Sequence, residues 1–258
     1  MEKRWALALQ GDGFDLEDAE LLFRDGSAIK VEKVDDLAGR TWTALFAHAF
    51  EDAVSAADVN EMGRAIVDRL NGVLFVRDPG RKPVTINAVL SWQTADPPKP
   101  AGFVGHGFLA GTFAARSRMR GSLSDACESV APPMTPLPPE REWLSNSFTD
   151  TALEDVLTHL RGAPDWFDLW KAFEVMRADI QDRSCKRPWH QTGVAWPRKE
   201  EVDRFTGSVN HHRHSRAHPA ARIPAAERMG LREAQLFLAR LVAPWRTWRT
   251  SAACCGDD

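Results

Sequence analysis

The segment Arg204–Arg222 reads RFTGSVNHHRHSRAHPAAR and gathers the groups best suited to chemistry. It holds His211, His212, His214 and His218, four arginines and no carboxylate. A histidine titrates near neutrality and can move a proton at physiological pH. An arginine stays charged and grips phosphate oxygens through two parallel N–H bonds. His214 and His218 are four residues apart and would share one side of a helix, which suits zinc or nickel. No Asp, Glu or Cys in the segment completes a ligand shell, and the arginines would repel a cation. No metal and no cofactor is therefore expected. A second chemistry would use both residue types on RNA, an arginine against the phosphate and a histidine to move a proton from a 2′-hydroxyl. A third is a solvated basic loop that holds an anion without turnover, with Arg204, Asn210, His214 and Arg216 as its binding residues.

The spacing Arg213-x-x-x-x-His218, with His214 directly after the arginine, resembles the Arg-x(4–6)-His motif of the "higher eukaryotes and prokaryotes nucleotide-binding" helical domains. Many members of that superfamily cleave RNA without metal. The resemblance implies that Arg213 steadies phosphate charge and His218 transfers a proton. Pro219 follows the histidine and disturbs a helix at that point.

Charge is unevenly placed along the chain. Residues 1–62 carry 14 Asp/Glu against 6 Lys/Arg, and residues 183–222 carry 9 Lys/Arg against 3 Asp/Glu. The basic stretch is expected to meet a nucleic acid or an acidic protein. Asp15, Glu17, Asp18 and Glu20 read as a solvated acidic face. The 258 residues are 43% hydrophobic and 27% charged, which excludes a disordered chain and a disulfide miniprotein. The apolar stretch Trp5–Leu9 is too short for a signal-peptide core, and no run is long enough to cross a bilayer. The four cysteines form no Cys-x-x-Cys pair. A cytoplasmic location with no membrane partner is expected. Gly11-Asp12-Gly13 and Gly105-His106-Gly107 are too short for phosphate loops, and His106 reads as a turn residue.

These groups need elements to hold them. Trp5, Leu7 and Leu9 alternate with Ala6 and Ala8, the pattern of a strand. A short helix over Phe14–Phe23, strands over Ile29–Val34 and Thr41–Phe46, and a helix carrying Val59, Met62, Ile66 and Leu70 follow. Ser55 and Asp58 are its expected cap pair. Asn71-Gly72 is expected to end that helix, because both residues tolerate the left-handed conformation. Val73–Val76 and Val84–Trp92 then read as a hairpin around Asp78-Pro79-Gly80, and Gly102–Ala115 as one more strand pair. Pro132, Pro133, Pro136, Pro138 and Pro139 mark a stiff connector. Beyond it, four helical stripes are led by Leu153, Trp166, Val202 and Leu231. The stripe of Trp166, Trp170 and Phe173 is expected to face inward.

The opening Trp5-x-Leu7-x-Leu9-x-Gly11 with Phe14-Asp15-Leu16 resembles an uncharacterised bacterial protein family. So do Leu70-Asn71-Gly72 with Pro83-Val84, Asp165-Trp166, Leu169–Glu174, Trp196, Glu201–Asn210 (EVDRFTGSVN), Arg213-His214 and Met229–Ala234 (MGLREA). The resemblance implies no activity. It marks Arg213-His214 as a recurring unit.

The expected fold is α+β: an N-terminal antiparallel αβ module over 1–127, a Pro-rich connector over 128–142, a C-terminal helical bundle over 143–248 and a disordered tail over 249–258. The expected function is a non-enzymatic binding or adaptor protein that offers its basic loop to an anionic partner. A metal-independent ribonuclease-like enzyme is the alternative.

Overall fold

The computed structural model describes residues 3–25, 28–35, 39–93, 103–104, 139–184, 192, 197–213, 224 and 227–251. Strand β1 (Lys3–Gln10) leads into helix α1 (Gly13–Phe23). Then come β2 (Ile29–Asp35), β3 (Thr41–Ala47), a 3-10 turn (His48–Phe50), α2 (Ala56–Arg77), β4 (Thr85–Gln93) and β5 (Phe103–Val104). Five helices complete the order: α3 (Pro139–Asn146), α4 (Thr151–His159), α5 (Trp166–Arg183), α6 (Lys199–Arg213) and α7 (Leu231–Ser251). The strands form one antiparallel sheet, β2-β3-β1-β4-β5. The fold is α+β, with sheet first and helices after. Helix α3 starts at Pro139, within the span read as connector. Proline is tolerated there because a first-turn N–H has no intrahelical partner to lose.

Alternation in β1 sorts the sheet's two faces. Leu7 stands opposite Leu45 on β3 and Val89 on β4, and all three are buried in the main core. Helix α2 covers that face closely, since a Cβ on Gly63 would run into the Leu7 side chain. Ala6, Ala8, Ala44, Ala88 and Leu90 form a smaller cluster, with Val34, Trp42 and Phe46 against it.

Helix α2 begins as its sequence predicts and does not end there. Ser55 and Asp58 form a reciprocal capping box. The helix then runs through Asn71-Gly72 to Arg77, so residues 73–76 are its last turns and not a strand. The expected hairpin is absent. Strand β4 pairs instead with β1, from Lys3–Gln93 to Gln10–Thr85. Tertiary contacts explain both residues that mimic a stop. The Asn71 carboxamide accepts from Val84 N at 2.7 Å and donates to Val84 O at 2.8 Å, so it satisfies both backbone groups of a residue just before β4. Gly72 lies against the Leu157 backbone of α4, where a Cβ would overlap. Gly72→Ala should therefore destabilise the chain by about 1–3 kcal/mol through overpacking, although alanine is the better helix former. Urea unfolding measures this, and an unchanged midpoint would mean that α2 and α4 are further apart.

One core joins sheet and helices. It contains Val59, Ile66 and Leu70 of α2 together with Leu153, Val156 and Leu157 of α4. Phe173, Phe205 and Phe237 from α5, α6 and α7 are in ring contact, with centroids 5.3 and 5.0 Å apart. Helix α7 contains Pro244 and continues to Ser251, into the span read as tail. The rest of that tail, Gly105–Ala115, His106 and most of the proline clusters lie outside the described residues. Among the described residues, no helix is long and apolar enough to cross a membrane.

Two polar clusters tie the elements together, and the first corrects the expected acidic face. Asp15 and Asp18 do not belong to a solvated acidic face; they are buried and paired with Arg81 at 3.2 and 2.7 Å. The reason is position. Asp15 and Asp18 are three residues apart on one side of α1, and the loop before β4 brings Arg81 to that side. Asp150, at the start of α4, accepts from Leu153 N and from Arg246 and Arg249 of α7.

Candidate anion-binding platform

Helix α6 carries the first half of the His/Arg segment. The expected helix of Val202, Phe205 and Val209 is present and runs on to Arg213, into the span read as a basic loop. Val202, Phe205 and Val209 are buried and fix the roll of the helix. Asn210 sits half-buried on its last turns. His214, Arg216 and His218 lie outside the described residues, so neither the Arg213–His218 pair nor the His214–His218 pair is placed. No group of three or more metal-ligating side chains occurs among the described residues.

Arg204 and Arg213 do not converge. Nine residues at 100° each turn the helix by about 180°, and they separate the two by about 13 Å along the axis. Arg204 faces α7. It contacts both carboxylate oxygens of Glu233 at 2.5 and 3.0 Å and donates to Glu227 O at 2.8 Å. Ser208 Oγ accepts from Met229 N at 2.8 Å beside it. Arg204 is thus a clamp between α6 and the start of α7, and its charge is met by Glu233. This corrects its expected role in anion binding.

Arg213 faces α5. Its guanidinium lies over the Trp170 ring, 5.0 Å from the centroid. No carboxylate pairs with it among the described residues, and it is exposed. One residue earlier, His212 stacks on Trp166 with centroids 4.4 Å apart and planes 11° from parallel. His211 meets His212 edge-on at 5.3 Å. On the α5 side, Phe167 is 52% exposed and has the Lys171 ammonium 5.7 Å from its ring centroid. Trp166 and Trp170 are half-buried and pack against the main core, in keeping with the expected inward stripe. The fully buried residues of α5 are Leu169, Ala172, Phe173, Met176 and Ile180. The two indoles stand at the border of that stripe, on the seam with α6.

The platform's chemistry follows from these layers. Partial burial, then His211, then Arg228 lower the pKa of His212 below the ordinary histidine value. His212 is therefore neutral at pH 7 and serves as a flat ring. Arg213 supplies the positive charge. Set over the Trp170 ring, its guanidinium can still donate N–H groups to a planar or tetrahedral anion. The basic groups also stand at the C-terminus of α6, where the helix dipole favours positive charge.

A second concave feature lies away from this platform. A groove of about 790 Å³ runs between α2 and β4, with Asn60, Arg64, Asn71, Thr85 and Asn87 among its lining.

No family model, no curated protein and no solved structure matches this chain.

Proposed function

We propose that the chain is a binding protein that holds single-stranded nucleic acid on the seam of α5 and α6. The observation that supports this reading most is the pair of layers Trp166–His212 and Trp170–Arg213. Stacked rings beside a guanidinium that meets no carboxylate among the described residues match a nucleotide in two ways. A base extends the stack over exposed His212, and its phosphate takes the Arg213 edge. An acidic protein partner would use the charge and leave the rings without a role. Asn210, on the same last turns of α6, is the nearest amide for a base edge or a sugar. His214 and Arg216 follow directly in sequence and would add positive charge.

The test is fluorescence anisotropy with a labelled 12-mer of oligouridine and the full chain. Arg213→Glu should weaken binding at least tenfold and reduce the salt slope by about one counterion. Trp166→Ala should weaken binding while leaving that slope unchanged, because it removes a ring and no charge. Equal binding by wild type and Arg213→Glu would refute the site. Turnover of the oligomer, abolished by His218→Ala, would replace this reading with the ribonuclease one.

A further inference from the structure

The seam of α5 and α6 contains a group that can change its charge. His212 is exposed on the last turn of α6, so its imidazole exchanges protons directly with solvent. Its ring lies flat on the Trp166 indole, with centroids 4.4 Å apart and planes 11° from parallel. His211 meets it edge-on at 5.3 Å. Arg213, the next residue, sets its guanidinium over Trp170, one helical turn along α5. Arg228, from the segment before α7, acts on the ring with a further positive charge.

The carboxylates of the neighbouring elements are turned to other partners. Asp165 accepts from Phe167 N and Asp168 N at 2.8 and 3.0 Å and so caps α5. Asp168 accepts from Asp165 N at 3.4 Å and faces His159 Nδ1 at 4.0 Å. Lys171 and Glu174 pair with each other at 2.9 Å. Glu233 of α7 is held by Arg204. The indole face favours a cation stacked on it, while partial burial and the positive charges of His211 and Arg228 oppose one. In the free chain the opposition wins, and the ring is neutral at pH 7. A phosphodiester held at Arg213 brings a negative charge to the same end of the helix. It offsets the repulsion and favours the imidazolium.

We infer that His212 makes the seam's hold on nucleic acid depend on pH: its ring takes up a proton as a phosphate binds, so the platform grips a polyanion more tightly in mildly acidic solution. This rests on the nucleic-acid reading of the seam and adds the regulation of that site. Linkage fixes the sign. Binding raises the pKa of His212 above its free value. Affinity therefore climbs as pH falls through the bound value and levels off below the free one. The added cation also releases one more counterion from the strand.

The test is fluorescence anisotropy with the oligouridine 12-mer and the full chain at pH 7.5 and pH 5.5. Neither uracil nor the phosphodiester titrates in that window, so the probe is constant. Wild type should bind about threefold tighter at pH 5.5, with a salt slope steeper by about one counterion. NMR should show the His212 pKa rising when the 12-mer binds, a readout that needs no variant. His212→Phe keeps a ring over Trp166 and has no proton to take up, so its ratio of affinities at the two pH values should fall to about one. His211→Gln, and the double variant His214→Gln with His218→Gln, should retain the wild-type ratio. Equal wild-type affinity at both pH values, or an unmoved His212 pKa, would overturn the inference and leave the nucleic-acid reading standing. A gain that survives in His212→Phe, or that disappears in either control, would assign the proton to another group and overturn it too. No binding at either pH would remove both readings.

Discussion

Arg81→Leu should cost about 3–5 kcal/mol of stability, one of the two largest effects expected of any single substitution in this chain. Arg81 is buried with Asp15 and Asp18, and its side chain is only 3% exposed. Asp15 also accepts from Lys82 N at 3.3 Å, so the cluster ties α1 to the loop before β4. Removing the cation takes from two poorly solvated carboxylates the countercharge that Arg81 supplies. Their protonation or exposure then opposes folding. Urea unfolding at pH 7 measures the loss. Adding Asp15→Asn and Asp18→Asn to the leucine variant should recover part of it, because the stranded charges are gone. A loss below about 1 kcal/mol, the range of exposed ion pairs, would show that the three groups are solvated.

Asp150→Ala is the second large effect, about 3–5 kcal/mol. Asp150 caps α4 through Leu153 N, a role worth about 1 kcal/mol. It also accepts from Arg249 at 2.6 and 3.0 Å and from Arg246 at 3.1 Å. Those arginine side chains are only 5% and 7% exposed. Arg249 retains Asp179 at 3.2 Å, and Arg246 keeps only the longer contact to the exposed Glu142 at 3.9 Å. The same carboxylate makes stability depend on pH. Burial alone would raise its pKa, but the Arg249 hydrogen bond, the Leu153 N–H and the charges of Arg249 and Arg246 hold it below the ordinary carboxylate range. The folded chain therefore releases this proton at lower pH than the unfolded chain does. Its stabilisation is full above the unfolded-state pKa of about 4 and is lost as pH falls through the folded one. Asp150→Ala should lose stability less steeply than wild type between pH 5 and pH 3. Parallel acid curves would contradict this.

Much of the fold is legible in local pattern. The period of two in Trp5–Leu9 gave a strand, and Ser55 with Asp58 gave a helix start. Local pattern failed where a distant partner decides. Asn71 and Gly72 have the types of a helix stop, yet Val84 and Leu157 use them inside the helix. Asp15 and Asp18 have the spacing of a wet face, yet Arg81 is brought to them from more than 60 residues away. Of the candidate site, Arg213 was read as the phosphate clamp of a pair with His218, a residue outside the described ones. Its setting was not legible, because Trp170 and Trp166 belong to another helix and local spacing does not say which neighbour they meet. Arg204 shows the converse error. Nearness in sequence to a basic cluster said nothing about Glu233 on the far side of the helix.

Photocrosslinking measures most directly whether the α5–α6 seam receives nucleic acid. A 4-thiouridine 12-mer irradiated with the full chain and mapped by mass spectrometry should attach at Trp166, Phe167, Trp170 or His211–Arg213, and the adduct should vanish at high salt. Adducts confined to other elements, or none at concentrations where anisotropy reports binding, would contradict the account.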